Sequence, residues 1–153
     1  MSFQKIPAGT RGKNAPQSNA VTRLLMRGME RYHRWRGDRF MGMDLLYLTT
    51  VGAKSGQQRR VPVTRFPEDD GWLVVASLGG SRQHPAWYHN IAAHPDQVWA
   101  EVGGTKFRVR AEQLEGAARE AAWKRITAEQ PRYSEYAQKT DRQLPVLRLT
   151  PAT

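Results

Sequence analysis

Residues 48–60 read LTTVGAKSGQQRR, which sets an ammonium, a hydroxyl and two guanidinium groups around a glycine-bounded turn. Lys54, Ser55, Arg59 and Arg60 suit an anion. Backbone N–H groups of such a turn can form a nest, lysine adds a point charge and arginine a two-pronged fork. The same residues also read as an ordinary hairpin turn with solvated charges. A second cluster is Ala76-Ser77-Leu78-Gly79-Gly80, followed by His84-Pro85-Ala86-Trp87-Tyr88-His89-Asn90. Two glycines at a strand end let the backbone approach a flat ligand closely. Trp87 and Tyr88 could cover that ligand and Asn90 could bond to its rim. Alternatively, both aromatics belong to the core.

Other chemistries lack their residues. The chain has no cysteine, which excludes disulfides, thiolate metal sites and cysteine nucleophiles. His84, His89 and His94 recur every five positions, so on a helix they turn by roughly 140° each and cannot converge on a metal. No G-x-S-x-G elbow, Walker phosphate loop or G-x-G-x-x-G turn is present. A bound cofactor is therefore the natural source of reactivity.

The elements that must position these clusters are short. Strands are expected at Leu45–Val51, Val61–Phe66, Trp72–Ser77, Val98–Val102, Lys106–Arg110 and Val146–Thr150, with helices at His84–His94 and Gly116–Gln130. Tyr133–Lys139 adds a helical turn or two. Tight turns between strands favour antiparallel hairpins, hence an α+β domain around a closed or partly closed barrel. The expected organisation is a loose polar arm (1–17), a basic amphipathic helix (18–37) and a barrel domain (38–153). The arm and helix carry none of the motifs and read as separable from the chemistry.

The charge is uneven. Of the 153 residues, 1–65 hold 13 basic and 3 acidic ones, whereas 66–153 hold 11 of each. Such asymmetry suggests a polyanionic partner. The helix over 18–37 could rest on an anionic membrane surface, or pack its apolar stripe on the domain. No apolar run approaches the ~18 residues a membrane span needs. The expectation is a cytoplasmic protein, with peripheral contact at the inner membrane face through 18–37.

Together the clusters resemble the deazaflavin-dependent nitroreductase family of mycobacteria and related actinobacteria. The resemblance rests on L-x-T-T-x-G-x-K-S-G-Q-x-R (Leu48–Arg59), V-A-S-x-G-G (Val75–Gly80) and P-x-W-Y-x-N (Pro85–Asn90). It extends to Pro131-Arg132-Tyr133-Ser134-Glu135-Tyr136, Thr140-Asp141-Arg142 and Leu144-Pro145-Val146. It implies a split β-barrel of the FMN-binding type that binds coenzyme F-420, an 8-hydroxy-5-deazaflavin with a phosphate and a polyglutamate tail. The reduced cofactor would deliver hydride to a small-molecule acceptor: a quinone, an enone or a nitro compound. By motif, Lys54, Ser55 and Arg59 would hold phosphate and tail. Arg60, Val61, Pro62, Val63, Thr64, Val75, Ala76, Ser77, Leu78, Ala86, Trp87, Tyr88, His89 and Asn90 would line the cofactor. Ser77, Tyr133 and Tyr136 would serve the reacting end as neutral hydrogen-bond donors.

Gln130 and Thr64 stand where members active on nitroimidazoles carry a tyrosine and an aromatic, so quinones or enones are the expected acceptors. Competing readings are an FMN-dependent split-barrel oxidoreductase and a non-catalytic F-420 carrier. A basic nucleic-acid module is disfavoured, because the aromatics cluster away from the arginine-rich helix and no nucleic-acid fold is recognisable.

Overall fold

The computed structural model describes residues 4–12, the backbone of residues 39–40, and residues 43–152. The expected helix over 18–37 lies outside the described residues. The strands are β1 (Arg39–Phe40), β2 (Met43–Val51), β3 (Gln58–Thr64), β4 (Phe66–Glu68), β5 (Gly71–Val75), β6 (Val98–Val102), β7 (Thr105–Gln113) and β8 (Val146–Pro151). The helices are α1 (Ala86–Ala93), α2 (Gly116–Glu129) and α3 (Arg132–Gln138). Every strand pairing is antiparallel.

Spatial order runs β2–β6–β7–β8–β5–β4, with β3 on the free side of the β2 core pairing. The strand expected over Val61–Phe66 is split at Arg65. Thr64 still pairs with Leu45 of β2, whereas Phe66 pairs with Leu73 of β5 at the opposite edge. One residue spans both edges, so the sheet must curl until they nearly meet. This is a split β-barrel. Arg65 fixes the crossing: its N–H donates to the Asp44 carbonyl at 2.9 Å, and its guanidinium donates to that of Leu45.

Strand alternation then feeds two cores. Trp72 and Val74 of β5 face the barrel interior with Leu46, Leu48, Ala100, Leu147, Leu149 and helix α1. Leu73 and Val75 face outward and are covered by α2 and α3 through Ile126, Ala122 and Tyr133. Helix α1 contributes Trp87, Tyr88 and Ile91 to the inner core, plugging one end of the barrel. Residues 4–12, expected as a loose arm, are instead strapped across α1 and the loop before β8 by the hydrogen bonds described below.

Candidate functional site

The β2–β3 turn carries Lys54 and Ser55, both exposed. It is closed by Gly56 N–H on the Gly52 carbonyl (2.9 Å) and by Gly52 N–H on that of Gln57 (2.8 Å). Asn90 holds it from the α1 side. Its Oδ1 accepts from Ala53 N–H at 2.9 Å, and its Nδ2 donates to the Thr50 hydroxyl at 3.1 Å. The buried Asn90 amide thus positions the turn from within. Ser55 Oγ accepts from Gln57 N–H at 3.2 Å. Arg59 shares the strand parity of Val61 and Val63, which pack on the inner core, while Arg60 points to the other face and pairs with Glu101 at 3.8 Å. A cleft of about 470 Å³ beside the turn is lined by Lys5, Ala53, Lys54, His89, Ala92 and Ala93.

At the other end of α1, the chain leaves β5 through Val75 and Ala76, both buried, into a 3-10 turn over Leu78–Gly80. Ser77 precedes this turn half-buried, and among the described residues its hydroxyl has no hydrogen-bond partner. Leu78 is held at φ +45°, a strained value for a side chain with a Cβ. Gly80 needs its φ of +83° and its missing Cβ, which would lie 2.6 Å from the Tyr136 carbonyl. The turn is thereby pressed onto α3.

Helix α3 presents Tyr133 and Tyr136 together, their rings edge-to-face at 5.4 Å. Tyr133 is buried against Phe66, with Thr64 near its hydroxyl. Burial raises its pKa, so it keeps its proton at neutral pH. Tyr136 is only partly buried. Trp87 and Tyr88 belong to the inner core, and Tyr88 is fully buried. The Tyr88 hydroxyl donates to Gln113 Oε1 at 2.5 Å and accepts from Ile6 N–H at 2.9 Å. Ala86 is exposed and His89 half-buried, on the cleft side of α1. Pro62 and Thr64 share the Arg60 parity of β3.

Several residues that organise the site had no assigned role in the sequence. Arg142, 4% exposed, donates to the carbonyls of Ala76 (2.9 Å), Ser77 (2.7 Å) and Ser81 (2.9 Å), and to His84 Nδ1 (2.8 Å). His84 Nδ1 is then the acceptor, so Nε2 bears the proton and donates to the Ile6 carbonyl at 2.6 Å. Burial, with Arg142 nearby, lowers the His84 pKa to about 4. Burial likewise lowers Arg142 to about 10. Next door, Asp141 accepts from the Thr10 hydroxyl and from the N–H groups of Thr10 (2.8 Å) and Arg11 (2.9 Å), which holds its carboxyl down at about 2. The signal for Arg142 and Asp141 was the T-D-R element; Lys5 and Gln113 gave none.

The arrangement offers a cationic turn held by Asn90 of α1 and, ahead of that helix, a strained loop whose Ser77 hydroxyl is free among the described residues. At 1.5 Å per residue, α1 itself is about 12 Å long. These residues fit an elongated ligand with a flat head and an anionic tail.

Comparison with known proteins agrees with that fit. Residues 21–151 match the family model described as F-420H(2)-dependent quinone reductase. An F-420H(2)-dependent quinone reductase of Mycobacterium tuberculosis is 38% identical over 108 residues, covering 69% of this chain and 72% of its own. A solved F-420-H2-dependent reductase is 42% identical, with a TM-score of 0.62 over 69% of this chain and 92% of that one. A second solved chain, described as a domain-swapped dimer, is 36% identical with a TM-score of 0.63, covering 85% and 99%.

Proposed function

The chain belongs to the F-420H(2)-dependent quinone reductase family, and on that premise we propose how its residues divide the work of reducing a quinone. The protein is an oxidoreductase that uses reduced coenzyme F-420. When bound, the reduced deazaflavin supplies a two-electron hydride. Lys54, Ser55 and Arg59 take the phosphate and acidic tail at the β2–β3 turn. Val61, Val63 and Ala76 form the apolar surround of the ring, backed by Val75 on the α2/α3 side, with Arg60, Pro62, Thr64, Leu78, Ala86 and His89 along its border. Trp87, Tyr88 and Asn90 support the site from inside the fold.

At the reacting end, a quinone gaining hydride develops anionic oxygen, which needs a hydrogen bond and then a proton. Ser77 supplies a hydroxyl not engaged elsewhere among the described residues, and Tyr136, on the α3 helix against which the Ser77 loop packs, supplies a second donor. Tyr133, protonated and packed against Phe66, holds Tyr136 in place by ring packing and walls off water. The observation that carries this division is the bridging of the Lys54 turn and the Ser77 loop by α1.

Titration with coenzyme F-420 and with FMN, read in the visible spectrum, tests the cofactor assignment; tighter binding of FMN would sink it. Menadione reduction by the F-420-loaded protein tests the rest, since tight binding without turnover would make it a carrier. The periodicity and charge of residues 18–37 favour one further contact, with an anionic membrane surface where apolar quinones reside. Among the described residues no helix is long and apolar enough to cross a membrane. Failure to pellet with anionic liposomes at low salt would remove this contact.

A further inference from the structure

We propose that the N-terminal strap completes the tail subsite: Lys5 joins Lys54 in lining one cationic cleft that takes the carboxylates of the cofactor's acidic tail. The inference rests on the reading of the β2–β3 turn as the tail site. It adds a residue from outside the barrel motifs, and with it a basis for preferring the tailed cofactor.

Lys5 is not an ordinary surface lysine, because both neighbours are pinned by buried side chains. The Gln4 carbonyl accepts from Gln113 Nε2 at 3.0 Å. Ile6 is held at both backbone groups, its N–H on the Tyr88 hydroxyl and its carbonyl on His84 Nε2. Gln113, Tyr88 and His84 are all buried. The backbone of residue 5 is therefore fixed before any ligand arrives, and only side-chain rotamers remain to be ordered. Lys5 Nζ lies 3.3 Å from His89 Nδ1. An ammonium only donates, so that nitrogen accepts and the imidazole stays neutral.

The charge of the cleft points to its ligand. Among the described residues, two ammonium groups, one neutral imidazole and three alanines line it, and no carboxylate does. Like charges on one small cleft repel, and an anion between them removes the repulsion. Ala53, Ala92 and Ala93 keep the walls low, leaving room for a chain rather than for a single ion. A flexible ligand with several carboxylates meets this pattern.

The test compares coenzyme F-420 with its tail-less chromophore, the 8-hydroxy-5-deazaflavin bearing only a ribityl chain. Affinities would be measured by fluorescence titration for wild type, Lys5→Ala, Lys5→Glu and Lys54→Ala, each at low and high salt. Lys5→Ala is expected to weaken coenzyme F-420 by about 3- to 10-fold at low salt, Lys5→Glu by more, with high salt narrowing both. The tail-less chromophore should bind all four proteins alike. If Lys54→Ala weakens coenzyme F-420 but Lys5→Ala does not, the Lys5 inference fails and the turn keeps its role. If wild type binds both ligands equally, the tail-site reading fails and the inference with it. Equal weakening of both ligands by Lys5→Ala would mean that the strap acts on the chromophore pocket, which also overturns it.

Discussion

Replacing Arg142 by glutamine removes the donor that three loop carbonyls share. The Ser77 carbonyl would keep Gly80 N–H at 3.0 Å, but that of Ala76 would lose the partner described for it. An orphaned buried acceptor costs about 1–3 kcal/mol, and the charge-assisted bonds to the Ser77 and Ser81 carbonyls are lost besides. Loss of a desolvated charge offsets part of this. The expected net destabilisation is about 2 kcal/mol. With a urea m-value of about 1–3 kcal/mol per molar, the unfolding midpoint should fall by about 1 M. Arg142→Lys should fall nearly as far, because one ammonium cannot span carbonyls that a planar fork reaches together. Amide exchange adds a local readout, since Gly80 and Ser81 should lose protection before the strands do. A midpoint within about 0.2 M of wild type, with unchanged exchange at both amides, would refute the clamp.

Asn90→Ala should weaken binding of coenzyme F-420 by calorimetry although Asn90 is buried behind the turn, because Ala53 N–H and the Thr50 hydroxyl lose their partner; unchanged affinity counts against the support role. Changing Tyr133 and Tyr136 together to Phe should lower quinone turnover while sparing cofactor affinity, and unchanged turnover on every acceptor would exclude their hydroxyls. His84 has a folded pKa near 4 against about 6.5 unfolded, so the unfolded chain binds the extra proton between those values and stability falls as pH drops through that window. The full effect is about 3 kcal/mol, and His84→Gln should flatten the urea midpoint between pH 7 and pH 4.5. An equally steep decline in the variant would assign the effect elsewhere.

What was legible in the sequence was what repeats locally. β6 was read to the residue because Val98–Val102 alternates between turn signals, and α2 to within one residue because its helical run stops before Pro131, Gln130 being its cap. The break at Arg65 was not legible, since Thr64 and Phe66 both suit strands and only the curl of the whole sheet decides that they pair with opposite edges. Trp87 and Tyr88, taken by themselves, read as core, and only the motif resemblance set them against a ligand. Their place in the inner core follows from α1 closing the barrel, a tertiary fact no spacing reports.

The T-D-R element acts through partners far away along the chain. Asp141 and Arg142 are neighbours that face opposite ways. Asp141 holds Thr10 and Arg11, some 130 positions away, while Arg142 holds Ser77, 65 positions away. His84 closes the circuit by touching both Arg142 and the strap at Ile6. The strap that carries Lys5 to the cleft and the clamp that shapes the Ser77 loop therefore share one buried joint. Loosening either side should be felt at the other, because Arg142 and the Ile6 carbonyl bond opposite nitrogens of one imidazole. Pairing across such distances leaves no periodic trace, and a neutral histidine beside a buried arginine looks in sequence like any other His-Pro step. The chemistry-bearing turns are written locally, but what holds them in register with each other is written at the two ends of the chain.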